Sequence, residues 1–372
     1  MVPVVTTLTA ASTPTSAPVD LLRATADLVS IASVSHNEGP ITDHLEARLR
    51  AVPWLEVTRM ANNLVARTTF GHAQRIILAG HTDTVPVNGN AVARIDGDTL
   101  FGLGSADMKG GLAVFLHLAE TVSEPTVDVT YIFYECEEVA AVHNGLKKLL
   151  ADAPDLVAGD AAILGEPTNA ILEAGCQGTL RAVLTVGGAR AHTARPWMGR
   201  NAIHRLAPVI ERINGWEPRR PVLDGCEYRE AMQVVKIEGG TGNNVVPDSA
   251  QITINHRFAP DRSIDEAAEV VRSVIGAAVL ADDATFDVVD AAGGARPLLT
   301  HPLLGALSNL VGEAPRAKLG WTDVAFFAAL GVPAVNFGPG DPTVAHTAGE
   351  FVMRAEIDRV WSVLNHLLTG HR

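Results

Sequence analysis

The sequence predicts an α/β fold: a mixed, largely parallel sheet flanked by helices, with a ferredoxin-like α+β unit inserted into it. Two observations predict this. Short apolar, β-branched runs alternate with helical segments along most of the chain, the pattern of strands joined in parallel through crossover helices. Between residues 179 and 294 the order changes to β-α-β-β-α-β, the order of a ferredoxin-like sandwich. A chain of 372 residues also exceeds one typical core, so two domains are expected. The expected division is a frayed tail over 1–18, one domain over 19–178 and 295–372, and an inserted domain over 179–294.

Asp20 is placed to cap a helix carrying Leu21, Leu22, Leu28 and Val29, and Ile41, Leu45 and Leu49 recur at the spacing of a second helix. Val57 to Arg67 and Arg75 to Ala79 read as strands around a loop holding Asn62-Asn63. The glycine-rich segment Gly102 to Gly111 leads into an apolar helix from Leu112 to about Val122. Val127 to Tyr134 alternates and is rich in Val, Thr, Tyr and Ile, so it is a strand, followed by a helix around Leu146 to Leu150 and a buried strand, Ala161 to Gly165. In the insert, Leu180–Val186, Met232–Ile237, Gln251–Phe258 and Thr285–Val289 are strands. Asn201–Ile213 and Ser263–Val279 are helices, the latter opened by a Ser263/Glu266 capping box. Helices at Leu303–Val311 and Asp323–Leu330, a strand at Ala334–Phe337 and a helix from about Met353 complete the chain.

Composition narrows the function classes. A net charge of −13 argues against nucleic acid or an anionic membrane surface as the partner, while leaving room for a small anionic substrate held by local cations. Apolar runs fall short of the roughly 20 residues that span a bilayer. Cys136, Cys176 and Cys226 form an odd set without paired spacing, which fits a reducing compartment, the cytoplasm by default. A dinucleotide site at Gly102-Leu-Gly-Ser is disfavoured, because the glycine spacing and the expected ribose-binding acid are missing.

Chemistry-bearing residues gather at predicted strand ends. After the apolar run Ile76–Ala79 come Gly80 and then His81 and Asp83, which an extended backbone points to the same side. Asp107 lies in Ala-Asp-Met-Lys-Gly, Glu135-Cys-Glu-Glu138 follows the strand ending at Tyr134, Glu166 opens Glu-Pro-Thr, and His346 stands near the C-terminus. Two imidazoles with several carboxylates, and no paired thiols, suit divalent zinc, cobalt or manganese in a catalytic site. Five such ligands can hold two ions if one carboxylate bridges them, and two ions together activate water and polarise a carbonyl. The Glu137-Glu138 pair allows one carboxylate to ligate while its neighbour serves as general base. Strand alternation places Glu135 and Glu137 on one side and Glu138 on the other, which leaves open which glutamate is the base.

These motifs in this order resemble the M20 family of co-catalytic metallopeptidases and amidohydrolases, over nearly the whole chain after the tail. The resemblance implies a zinc-peptidase-like catalytic domain, two metal ions (zinc, with cobalt as the alternative) and an inserted lid that dimerises. It makes His81, Asp107, Glu138, Glu166 and His346 the metal ligands, with Asp107 bridging. It makes Asp83 the carboxylate that orients His81, and Glu137 the base. The segment Gly188–Ala202 resembles the family stretch whose histidine, here His192, reaches the partner subunit's active site as an oxyanion donor. Asn244 and Thr322 fall in segments resembling the family's substrate contacts. Arg257, which alternates with His256 on its strand, is placed to meet a substrate carboxylate bidentately, and Arg181, Arg195 and Arg200 are further cations for an anionic substrate. The wording of the motifs resembles the actinobacterial succinyl-diaminopimelate desuccinylase branch, which implies hydrolysis of N-succinyl-LL-2,6-diaminopimelate. Acetylornithine deacetylase or another N-acyl-amino-acid amidohydrolase is the alternative. The expected partners are thus a small acylated amino acid and a second copy of the chain, with neither nucleic acid nor membrane.

Overall fold

The computed structural model describes residues 19–370, so the tail expected over 1–18 lies outside the described residues. The large sheet has eight strands, in the order Glu56–Met60, Asn63–Arg67, Asp128–Tyr134, Arg75–His81, Ala161–Leu164, Ala334–Asn336, Glu173–Ala174 and Arg316–Ala317. Its centre is parallel: Arg75–His81 runs alongside both Asp128–Tyr134 and Ala161–Leu164, and Ala334–Asn336 continues that sense. Asp128–Tyr134 and Arg75–His81 are in register at their ends, Tyr134 opposite His81. The centre therefore delivers the residues that follow both strands to one edge.

Both faces of this sheet are covered, so its strands are apolar at consecutive positions rather than at alternate ones. Ile76, Leu78, Val129, Tyr131 and Ile163 face the helices Leu21–Val29, Gly39–Arg50, Gly110–Thr121, Pro302–Val311 and Arg354–Thr369. The intervening Ile77, Ala79, Ile132, Tyr134 and Leu164 face Gly145–Asp152 and Val324–Ala329. Each fully buried aliphatic side chain of this kind contributes about 1.5–3 kcal/mol. Asp20 caps the first helix by accepting from the Arg23 N–H, as its position predicts. Among the described residues no helix is long and apolar enough to cross a membrane.

A second sheet, entirely antiparallel, has the order Ala231–Gly239, Ser249–Phe258, Gly178–Gly187, Ala284–Ala292. Helices Ala202–Asn214 and Ile264–Ile275 cover one of its faces, through Leu206, Val209, Val271 and Ile275 on Leu180, Leu184, Ile252 and Ile254. This is the ferredoxin-like arrangement, and the Ser263/Glu266 capping box is formed. Arg181 and Arg257 lie on the helix-free face.

Three expectations need correction. Asn63 opens a strand, and the turn sits at Ala61-Asn62, where Ala61 takes a left-handed φ of 55°. The helix expected over 263–279 breaks at Gly276, whose φ of 89° an L side chain adopts only with strain. A small three-stranded sheet, Arg94–Asp96, Thr99–Phe101 and Phe351–Met353, was not expected at all. Its strands are three residues long, too short to show a period.

One close approach fixes the edge of the large sheet. A Cβ on Gly111, at the start of helix Gly110–Thr121, would collide with the Gly165 carbonyl, and so would one on Gly338. The peptide leading to Glu166 is gripped between these two glycines. Gly111→Ala should therefore cost about 1–3 kcal/mol by overpacking, read as a lower thermal midpoint. Gly39→Ala, with open space around its Cβ position, should melt like the parent. Equal midpoints for the two variants would remove the grip.

Candidate metal centre

Parallel strands deliver His81, Glu137, Glu138 and Glu166 to one edge, and two loops complete the cluster. Asp107 lies in a wide turn, Ser105–Lys109, where its backbone leaves helical geometry (φ −118°, ψ 95°) and its peptide to Met108 is cis. His346 comes from the loop after the strand Ala334–Asn336 and has a left-handed φ of 63°.

Asp107 uses its two oxygens separately. Oδ1 lies 3.1 Å from His81 Nε2, and Oδ2 lies 3.4 Å from His346 Nε2. His346 Nε2 also lies 2.9 Å from Glu138 Oε1. The donor atoms fall into compact groups, each within 4.8 Å: His81, Asp107 and Glu166; Asp107, Glu138 and His346; and His81 with Glu137 and Glu138. Asp107 is common to the first two, which suits it to bridge. Glu166 is buried, and its Oε1 has no hydrogen-bond partner. An unsatisfied buried carboxylate oxygen beside an imidazole and a second carboxylate is what a cation site needs. The donor set fits two divalent ions of the zinc or cobalt type.

Burial sets the electrostatics. It works against a charged His81 but is outweighed by Asp107 and Asp83, so the imidazole is held well above its ordinary range. Burial, then the charge of Asp107, pushes Glu166 up to about 8. Burial, then the neighbouring Asp323, holds Glu137 well above the usual carboxylate range. Hydrogen bonds to Asp107 and Glu138 raise His346 to about 10.

Asp83 holds this geometry together. Its backbone carbonyl lies 3.0 Å from His81 Nδ1 and its carboxylate 3.5 Å from the same nitrogen. That carboxylate also accepts from the Glu137 N–H at 2.9 Å, the Glu138 N–H at 3.1 Å and the Ser35 hydroxyl at 2.7 Å. The glutamate ambiguity resolves here. The chain leaves the strand at Tyr134 and Cys136 takes a φ of 61°, so strand alternation does not extend to these residues. Glu137 and Glu138 both join the centre, whereas Glu135 turns to Asn63 and Lys148.

The remaining candidates lie elsewhere. His192 and Asn244 are exposed on the second sheet's loops, where Thr193 N–H donates to the Asn244 carbonyl. Arg195 is also exposed there. Arg200 is engaged by Asp282 at 2.9 Å and Asp283 at 3.6 Å. Thr322 is buried and donates to Asn336 Oδ1 at 3.0 Å. Arg257 is half-buried with Arg181 nearby, and burial followed by the Arg181 charge lowers its pKa. Arg181 lines a groove with Lys147, Arg296 and Trp321, next to Val139 just beyond Glu138.

Two carboxylates escaped the sequence reading. Asp323 is fully buried, accepts from Asn144 Nδ2 at 2.7 Å and is pushed up to about 6 by its burial. Glu350 is buried and accepts from the N–H groups of Gly104 (3.1 Å), Ala106 (3.0 Å) and Asp107 (3.1 Å), so it shapes the turn that aims Asp107. Only its position four residues after His346 could have flagged it. Glu350→Gln puts an amide donor against backbone donors, which should weaken metal affinity by about 10–100-fold, measured by metal content after dialysis against graded chelator. Undiminished affinity alongside a lower melting temperature would confine Glu350 to fold support.

Residues 77–370 match the sequence profile of Peptidase family M20/M25/M40. The chain is 49% identical to a putative succinyl-diaminopimelate desuccinylase of Mycobacterium tuberculosis, covering 94% of this chain and 98% of that one. It is 44% identical to a succinyl-diaminopimelate desuccinylase of Corynebacterium glutamicum, over 94% and 96% of the two chains. In fold it is similar to the aminopeptidase PepT of Bacillus cereus (TM-score 0.77, 19% identity, 94% and 97% covered). It is similar also to a Bacillus subtilis protein described as a dinuclear metal binding peptidase from the M20 family (TM-score 0.71, 16% identity, 93% and 96% covered). With the profile running from the strand that presents His81 to the last helix, the chain belongs to peptidase family M20/M25/M40.

Proposed function

We propose that this protein hydrolyses the amide bond of N-succinyl-LL-2,6-diaminopimelate, giving succinate and LL-2,6-diaminopimelate. The observation that carries the substrate is the 49% and 44% identity, over nearly full length, to two relatives described as succinyl-diaminopimelate desuccinylases. The grouping of His81, Asp107, Glu137, Glu138, Glu166 and His346 supports the chemistry.

His81, Asp107 and Glu166 would hold one divalent ion, and Asp107, Glu138 and His346 a second. When bound, zinc or cobalt ions there supply Lewis acidity to the amide carbonyl and make water more acidic. Glu137 takes a proton from the attacking water. Water adds to the succinyl carbonyl, the C–N bond breaks, and Glu137 returns the proton to the leaving amine nitrogen. Asp83 keeps Glu137 and Glu138 in register by accepting both N–H groups. Arg181 and Arg257 are the cations proposed for the substrate carboxylates, with Arg296 and Lys147 in the same groove as Arg181. Asn244 and Thr322 are further proposed contacts. Arg200 is the weakest of the set, its charge being matched by Asp282 and Asp283.

The proposal includes a homodimer formed through the unit at 179–294, in which His192 of one subunit donates to the oxyanion in the other. The exposure of His192 supports that arrangement. It also includes a cytoplasmic location, supported by three free cysteines.

Turnover of succinyl-diaminopimelate beside acetylornithine tests the reading. The succinyl substrate should be strongly preferred, and Glu137→Gln should lower its kcat by at least about 10²-fold with metal content unchanged. Preference for acetylornithine would overturn the substrate, and loss of one ion from Glu137→Gln would exchange the base and ligand roles.

Metal uptake should also release protons. Ligands bind deprotonated, yet Glu166 is raised to about 8 and His346 to about 10 in the metal-free protein. At neutral pH both therefore carry protons that a metal must displace, and affinity should climb as pH rises toward 8. Calorimetry in buffers of different ionisation enthalpy reads the protons released per ion. Heats that do not depend on the buffer would contradict this ligand set.

A further inference from the structure

Directly behind the catalytic loop lies a second group of metal-type side chains that the proposed reaction does not use. Cys136 Sγ is 3.3 Å from Glu38 Oε1 and 3.4 Å from His36 Nδ1. Donor atoms of Glu38, Glu135 and Cys136 all fall within 4.8 Å of one another. Glu38 is 0% exposed, Cys136 3% and Glu135 8%. Glu38 Oε1 accepts from the N–H groups of His36 (2.9 Å) and Cys136 (3.2 Å), whereas its Oε2 is buried without a partner. The cations nearby are few: Lys148, about half exposed, lies 3.8 Å from Glu135. His36 is exposed and stands edge-on to His143, their ring centroids 5.0 Å apart. The floor of the group is thus a thiol and a carboxylate, and its mouth is an imidazole open to solvent.

We infer that His36, Glu38, Glu135 and Cys136 form a third cation site, distinct from the two-ion centre, for a borderline or soft divalent ion. One thiol and two carboxylates supply three donors of a tetrahedral site, and the exposed His36 ring, whose Nδ1 lies 3.4 Å from Cys136 Sγ, turns in to supply the fourth. The ion displaces the thiol proton to solvent and satisfies Glu38 Oε2, which protein groups leave unpaired. Hard, oxygen-preferring ions such as magnesium should be refused, since thiolate is a poor ligand for them.

Cadmium is the probe. Full-length protein that already holds two equivalents of zinc is titrated with cadmium, and ultraviolet absorption follows the thiolate-to-cadmium charge-transfer band. The band should grow to saturation at one further equivalent, be absent in Cys136→Ser, and need at least about tenfold more cadmium in His36→Ala. Magnesium in excess should leave the cadmium curve where it was. Because His36 is exposed, that variant keeps the test open should Cys136→Ser fold poorly. A band absent from the parent, one retained by Cys136→Ser and so owed to Cys176 or Cys226, or one unmoved by His36→Ala would overturn the site.

Discussion

The constraint on which the rest of this structure depends is the burial of like charge at one sheet edge. Asp83, Asp107, Glu137, Glu166 and Asp323 converge where water is largely excluded, and desolvation penalises the charged form of each. Two imidazoles, a handful of backbone N–H groups, the Ser35 hydroxyl, the amide of Asn144 and the more distant charge of Lys318 are among the partners that offset them. Those partners satisfy Asp83 and Asp107, which stay ionised below their usual range. They leave Glu137, Glu166 and Asp323 raised. An assembly with this imbalance gains strongly from added positive charge, the physical reason for reading it as a cation centre rather than as a buried ion network.

Precision comes from pieces that carry no reactive group. Asp83 ties the loop after one strand to the histidine at the end of its neighbour, so His81, Glu137 and Glu138 move as a unit. Glu350 does the same for the turn of Asp107, and the paired glycines at 111 and 338 do it for the peptide ahead of Glu166. Hydrogen bonds to backbone N–H groups and close backbone packing leave little rotameric freedom, which keeps the ligand set in place before any ion arrives.

Much of this was legible in the sequence because the site follows the architecture. Apolar strands with reactive residues at their C-terminal ends are visible as local patterns, so His81, Glu137, Glu138 and Glu166 could be collected without coordinates, whereas Asp107 and His346 sit in loops and were joined to them through their motifs. What stayed hidden acts through distant contacts. Glu350 acts through backbone N–H groups over 240 positions earlier in the chain, and Asp323 looks like an ordinary helix-start residue until its burial is known. The choice among the glutamates stayed open for a local reason: a left-handed residue at Cys136 ends the strand period just beyond Tyr134. The pairing of Arg200 with Asp282 is likewise a contact over some distance in the chain that spacing does not show.

The placement of His346 and Glu350 bears on how the protein is made. His81, Asp107, Glu137, Glu138 and Glu166 all leave the ribosome before the second sheet begins, while His346 follows Glu166 by roughly 180 residues. At about 5–20 residues per second, that is a delay of some ~10–40 s. During that interval the nascent chain lacks both His346 and Glu350, the carboxylate that shapes the Asp107 turn. The complete donor group can therefore exist only after the segment carrying His346 and Glu350 has been made.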